Sequence, residues 1–212
     1  KILKEKKNLG LKTLLDICKI DSNPSIYHLG FMLGPRINAG GRVGKCSHGA
    51  NLLLNTDPKS AFKLASELDQ FNKERQMLEK DLLQKLLNTT KDFSKDPVII
   101  LSGTNWHEGV IGIVATRLKD KYNKPVIIIS IEGQIGKASA RSIVGFDIGS
   151  VIIAATQKKI LIKGGGHKMA GGFSINIKNL DELKEFVFKK FRSINEDIVS
   201  EKPIYLDSVL SP

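Results

Sequence analysis

The chain divides by hydrophobic pattern: apolar residues recur at three- and four-residue steps in its first half, and short continuous apolar runs mark its second half. Over 9–20, Leu11, Leu14, Leu15 and Cys18 keep helical spacing, which predicts a short amphipathic helix ended by the polar stretch 21–24 with its proline. Asp57 and Pro58 form a helix start, cap followed by proline. From there to about Asn88 no Gly or Pro intervenes, and Leu64, Leu68, Phe71, Leu78, Leu82 and Leu86 make an apolar stripe. A helix of that length spans roughly 45 Å, which suits a strut between two domains with a cleft or, alternatively, a coiled-coil arm. Arg75 interrupts the stripe and leaves too few clean heptads, so the strut is the preferred expectation.

Past the break at 94–97 the pattern becomes α/β. Continuous apolar strands are expected over 98–101 and 126–131 with a helix over 110–122 between them, a βαβ unit whose strands run parallel. A strand over 136–143 places Lys137, Ser139 and Arg141 on alternate positions, hence on one side. A helix over 148–161, a strand over 173–177 and an amphipathic helix over 180–191 complete the order.

Composition adds a direction. The 33 Lys and Arg against 22 Asp and Glu leave a formal charge of +11, which favours polyanionic partners, nucleic acid foremost. Aromatic residues are only 6% and fall mostly at core-like positions, so contacts to the sugar–phosphate backbone should outweigh base stacking. No apolar run reaches membrane-spanning length and no signal-peptide pattern opens the chain, so a soluble cytoplasmic protein with no membrane partner is expected. Cys18 and Cys46 lack metal or redox spacing and read as small buried hydrophobes. The polar start at 1–8 and the strand-like end at 203–212 look cut, which suggests an interior fragment of a longer protein.

Three polar clusters carry candidate chemistry. Arg36, Asn38 and Arg42 lie among Gly34, Gly40, Gly41 and Gly44, and two guanidiniums on a tight glycine turn suit bidentate phosphate binding; an exposed basic loop is the plain alternative. Ser139 and Arg141 are the second. The third is Gly-Gly-Gly-His-Lys-Met-Ala-Gly-Gly at 164–172, where glycines let backbone N–H groups approach an anion and His167 can donate to phosphate or move a proton near neutral pH; a plain glycine turn is the alternative. All three supply donors suited to phosphate. No clustered Asp and His ligand set is visible, since His28, His48, His107 and His167 are scattered. Asn105-Trp-His-Glu108, at the start of the 110–122 helix, is a further polar candidate, with His107 and Glu108 as its polar groups; the plain alternative is capping, Asn105 and Glu108 being spaced as a capping box with Trp106 packed on the core.

The order of motifs, Gly-Pro-Arg-Ile-Asn-Ala-Gly-Gly-Arg, a long helix, Trp-His-Glu-Gly-Val-Ile-Gly-Ile-Val-Ala, Gly-Lys-Ala-Ser-Ala-Arg-Ser and the glycine–histidine stretch, resembles the RecJ family of single-strand-specific exonucleases in the DHH phosphoesterase superfamily. The resemblance runs from about Gly10 to Pro212. It implies an α/β fold, a DHHA1-type domain with a central mixed β-sheet flanked by helices and preceded by a long connecting helix. The implied divisions are a remnant of the DHH catalytic domain over 1–56, the connecting helix over 57–93, the DHHA1 domain over 94–200 and the start of an OB-fold-like domain over 201–212.

For function, the resemblance implies metal-dependent 5′-to-3′ hydrolysis of single-stranded DNA in recombination and repair. The family's Mn²⁺ or Mg²⁺ is held by an Asp-His-His motif and further carboxylates that this chain lacks, so the chain alone is expected to be inactive. Arg36, Asn38, Arg42, Ser139, Arg141, Gly165, Gly166 and His167 are the implied phosphate and DNA contacts, with His167 reaching the scissile region and Arg141 near the 5′ end. A single-strand-binding protein is an implied partner. Gly40 replaces the usual alanine and Ala138 the usual glycine. The competing functions are a nano-RNase or pAp-phosphatase of the same superfamily and a non-catalytic DHHA1 nucleic-acid-binding module.

Overall fold

The computed structural model describes residues 7–21, 23–88, 93 and 95–194. The expected polar start over 1–6 and the OB-fold lead over 203–212 lie outside the described residues. Two compact units divide the chain, the first taking residues 1–88 with 107–110 and the second residues 89–106 with 111–212.

The first unit is helical. Helix α1 (Leu9–Ile17) starts under the Asn8 side chain, which accepts from the Leu11 N–H. It ends earlier than its apolar spacing implies because Lys19 turns left-handed (φ 55°) and the Ile20 and Lys19 N–H groups close back on Leu15 and Asp16, the usual left-handed helix stop. A π-helical turn (His28–Leu33) runs straight into α2 (Gly34–Val43), and α3 (His48–Leu54) follows. The long helix α4 (Pro58–Leu87) has 30 residues and is capped by Asp57, whose carboxylate accepts from Ser60. Its Ala61, Ala65 and Leu68 join Leu14, Leu15, Leu33 and Leu52 in one buried cluster. The N-terminal part of α4 therefore builds the core of this unit. The interruption at Arg75 is internally paired: its guanidinium donates to Asn72 Oδ1 at 3.0 Å and to Glu79 at 2.7 Å.

The second unit is a five-stranded mixed sheet in the order β1-β2-β3-β5-β4. Strand β1 (Ile99–Thr104) runs parallel to β2 (Val126–Glu132) with α5 (Glu108–Tyr122) between them in sequence, as the βαβ pattern predicts. Strand β3 (Ile135–Arg141) is antiparallel to β2, β5 (Ala170–Asn176) to β3, and β4 (Lys163–His167) to β5. Helix α6 (Ile148–Gln157) precedes β4, and α7 (Leu180–Ile194) closes the unit. Ile127, Ile129, Ala138, Ala140, Phe173 and Ile175 face one side of the sheet and pack with Ile148, Val151 and Ile152 of α6 and Leu183 and Val187 of α7.

Several local expectations need correction. The Arg36, Asn38 and Arg42 segment is a helix, not a tight glycine turn: Pro35 sits in its first turn, and at Gly40 a Cβ would meet the Lys45 carbonyl oxygen at 2.8 Å and the Leu68 side chain of α4 at 3.2 Å. The glycine–histidine stretch is a β-hairpin, because its glycines pair across two strands. The capping box does not form; Asn105 is left-handed (φ 61°), α5 begins at Glu108, and His107 Nδ1 accepts the Gly109 N–H. Trp106 does pack inward, over Gly103, where a Cβ would lie 2.5 Å from the indole. The cysteines are not buried hydrophobes, Cys46 being exposed and Cys18 half-buried. Most described aromatics are buried or half-buried, as expected; Tyr27, Phe31 and Phe62 are the exceptions, each more than 60% exposed, and Tyr27 stacks on Phe31 at 5.0 Å.

Candidate nucleic-acid interface

Alternation and register assemble the site in the second unit. Neighbouring residues in adjacent strands share a face, so the side of the sheet opposite α6 carries three rows. The first is Arg141, Ala170 and His167; the second Ser139, Gly172 and Gly165; the third Lys137, Ser174 and Lys163. Lys137, Lys163 and His167 are exposed, while Ser139 and Arg141 are partly covered. Lys137, Ser139 and Arg141 thus share a side, and the pairing brings them beside His167 and Gly165, which the sequence places more than twenty residues away.

Helix α5 fixes the β3 end of this face. Arg141 Nη1 donates to Ser139 Oγ at 3.1 Å and to the Ala140 carbonyl at 2.8 Å. Above them α5 presents Gly112, where a Cβ would stand 2.8 Å from Ser139 Oγ and 3.0 Å from the Arg141 guanidinium. A glycine there leaves room for both polar tips. Local bonds of this kind hold a guanidinium in place before any anion arrives, which lowers the ordering cost of binding.

The β4–β5 hairpin fixes the other end. Its turn is tied down twice, the Ser142 N–H donating to the Met169 carbonyl at 2.9 Å and the Ile148 N–H to the Lys168 carbonyl at 3.2 Å. Asp147 caps α6 by accepting the Ser150 N–H at 3.0 Å. That bond, with further help from Lys168, holds its carboxyl below the usual range. Gly149 lets this helix end touch the His167 backbone, since a Cβ there would meet the His167 carbonyl oxygen at 2.8 Å. His167 Nδ1 accepts a long bond from the Met169 N–H at 3.4 Å, which leaves the proton of a neutral ring on Nε2. That N–H can donate outward.

The five glycines of the hairpin fall into two groups. A Cβ on Gly164 would strike Ile152 and Phe173 at 2.7 Å, one on Gly171 would strike Ile152 at 2.5 Å, and one on Gly166 would lie 2.4 Å from the Ala170 carbonyl oxygen. Packing alone requires those three. Gly165 has nothing within 4 Å, and Gly172 meets only the Ala138 carbonyl oxygen at 3.3 Å. These two are paired neighbours at the centre of the open face. Glycine weakens a strand, and at Gly165 no contact among the described residues requires it.

The first cluster is described in its own unit. Arg36 is committed to structure: Nε donates to Asp69 at 2.8 Å and Nη1 to the Met32 carbonyl at 2.8 Å. Burial pushes the Asp69 carboxyl up, but hydrogen bonds and charge from Lys73 and Arg36 outweigh it and hold the group below its usual range. Asn38 and Arg42 are exposed and lie one turn apart on α2. Arg42 Nη1 donates to the Gly109 carbonyl at 3.2 Å, within the same unit. The helix directs Arg36 away from the Asn38 and Arg42 face, so the three do not converge as a turn would make them. Gly112, Lys163 and Gly172 are not among the contacts expected from the sequence; the strand alternation around 163–174 is the signal that points to the last two.

Residues 95–193 match the DHHA1 domain family. The chain is 33% identical to the single-stranded-DNA-specific exonuclease RecJ of Bacillus subtilis over 86% of its own length and 23% of the relative's. To the RecJ of Haemophilus influenzae it is 41% identical over 74% of this chain and 28% of the relative. The chain belongs to the RecJ family. It spans about a quarter of the length of these curated relatives. The crystal structure of RecJ in complex with Mg²⁺ from Thermus thermophilus superposes with a TM-score of 0.79 at 28% identity, covering 90% of this chain and 29% of that one. A second structure of the same protein, in complex with Mn²⁺, matches equally. Among the described residues no group of three or more His, Cys, Asp or Glu could hold a metal ion, and no helix is long and apolar enough to cross a membrane.

Proposed function

We propose that this chain supplies the DNA-gripping face of a metal-dependent 5′-to-3′ exonuclease acting on single-stranded DNA in recombination and repair. The observation that carries this reading is the register that sets Ser139 and Arg141 of β3 beside Gly165 and His167 of β4 on one open, basic face. Arg141 and Ser139 hold a phosphate near the 5′ end by charge-assisted hydrogen bonds. His167 Nε2–H donates to a non-bridging oxygen of the scissile phosphate and offsets the charge that develops there. Gly165 and Gly172 let the strand lie close to the sheet, and Gly166 keeps the hairpin that presents them in register; in the helical unit the exposed pair Asn38 and Arg42 is itself suited to phosphate. Arg36 supports this by bracing α2 against α4 rather than by binding.

In such an enzyme Mn²⁺ or Mg²⁺ activates the attacking water and stabilises the leaving oxygen. Among the described residues no group of three or more His, Cys, Asp or Glu could hold the ion. Residues 1–56 are part of a DHH domain, α4 is the connecting helix and 94–200 is the DHHA1 domain, with a cytoplasmic location and single-strand-binding protein as a partner.

The test is binding and turnover by the 212-residue chain with a 5′-phosphorylated single strand. The chain should bind with a log–log salt slope of about −0.7 per phosphate neutralised, lose affinity on Arg141→Ala, and release no nucleotides with Mn²⁺ or Mg²⁺ present. Salt-independent binding, or metal-dependent release abolished by His167→Ala, would overturn it.

A further inference from the structure

The face continues past Arg141 and His167. The row of Lys137, Ser174 and Lys163 lies four residues along β3 from Arg141 and four along β4 from His167, about 13 Å at 3.3 Å per residue. Lys137 and Lys163 flank Ser174 from the two neighbouring strands, about 9.6 Å apart at two strand spacings. Both are exposed.

We propose that Lys137 and Lys163 form a further phosphate subsite, engaging a different phosphate of the same strand from those held by Arg141 and by His167. The inference rests on the face being the DNA-binding surface. No single phosphate spans 13 Å, so a strand touching both rows must run parallel to β3 and β4. On that course its backbone crosses the middle row, Ser139, Gly172 and Gly165, where Gly165 is unobstructed. Floor and flanking cations therefore describe one track.

A lysine on an edge strand has another use, blocking strand-to-strand aggregation, and β4 is an edge. That account does not extend to Lys137. Its strand β3 is interior, paired on both sides by β2 and β5, so it has no edge to protect.

The experiment is fluorescence anisotropy of the 212-residue chain with two probes, a 5′-phosphorylated oligothymidylate long enough to cover both rows and a 5′-phosphorylated dinucleotide, across a salt series. Lys163→Gln should reduce the long probe's salt slope by about 0.7. If the contact is purely electrostatic, that slope corresponds to about fourfold weaker binding at 0.15 M salt. Lys137→Gln should act likewise, Lys163→Arg should restore wild-type behaviour, and none should alter binding of the dinucleotide. Arg141→Ala should weaken both probes. Wild-type affinity and slope in both Lys→Gln variants, with Arg141→Ala still impaired, would overturn the subsite and leave the face intact. An Arg141→Ala variant that binds both probes normally would overturn the face itself. Circular dichroism confirms that each variant is folded, and Lys137→Gln carries the test if Lys163→Gln is not.

Discussion

Gly165→Ala separates what the fold needs from what a ligand needs. The new methyl meets no heavy atom within 4 Å. Removing a strand glycine should then stabilise the chain by roughly 0.5–1 kcal/mol through the lost unfolded-state freedom. Its neighbour provides the contrast: a methyl on Gly166 would lie 2.4 Å from the Ala170 carbonyl oxygen and 2.5 Å from Gly171 Cα, backbone atoms that cannot swing aside. Overpacking of that kind costs about 1–3 kcal/mol or more, which lowers the melting midpoint of a domain this size by roughly 4 °C or more. Binding should reverse the order of harm. A methyl in the path of a closely approaching sugar–phosphate backbone imposes a comparable overpacking cost on the complex, about 1–3 kcal/mol, or about thirtyfold weaker binding at the middle of that range. The assay pairs thermal melts by far-UV circular dichroism with anisotropy on a 5′-phosphorylated single strand. Wild-type affinity in Gly165→Ala would show that nothing approaches that position, and a melting loss matching Gly166→Ala would show that the space is not open.

Two further substitutions test the helical unit. Arg36→Ala should destabilise it by about 1–2 kcal/mol, between an exposed ion pair and a fully charge-assisted bond. Because the Asp69 carboxyl is held low in the folded state, the pair's contribution is present above the unfolded carboxylate pKa and fades as pH falls through the folded one. The gap between wild type and variant should be widest near neutral pH and narrow in acid; a pH-independent gap, or a variant with unchanged stability and weakened DNA binding, would contradict the bracing role. Lys19→Gly should stabilise by up to about 1.5 kcal/mol, since the left-handed conformation costs a residue with a Cβ roughly 1–2 kcal/mol and glycine gives back roughly 0.5–1 kcal/mol in entropy. A lower melting midpoint in that variant would refute the helix-stop geometry at Lys19.

The sequence was most legible where one physical signal dominated. The long helix followed from an uninterrupted 3.6-residue stripe with a proline start, and the parallel β1–β2 pair from two apolar runs around a helical segment. Legibility failed at glycines. A glycine relaxes a constraint without saying which, so the same residue type serves a turn, a close approach of Lys45 and Leu68 at Gly40, and a strand packed beneath Ile152 at Gly164 and Gly171. Only the surrounding packing decides, and packing is non-local. The same limit hid the role of Arg36, because Asp69 stands thirty-three residues away on another helix.

That limit also shows where the function-bearing information sits in this domain. Arg141 and Lys137 are visible in one strand because alternation is a local rule. Their counterparts His167 and Lys163 become visible only once β5 is placed between β3 and β4 with its register fixed. A slip of one residue in β4 would turn His167 and Lys163 toward α6 and bring Gly164 and Gly166 to the open face. Gly164 pressed against Ile152, and the hairpin turn tied to Ser142 and Ile148, oppose that slip. The glycines that packing requires therefore hold the register that keeps the cations and the two open glycines on the same side.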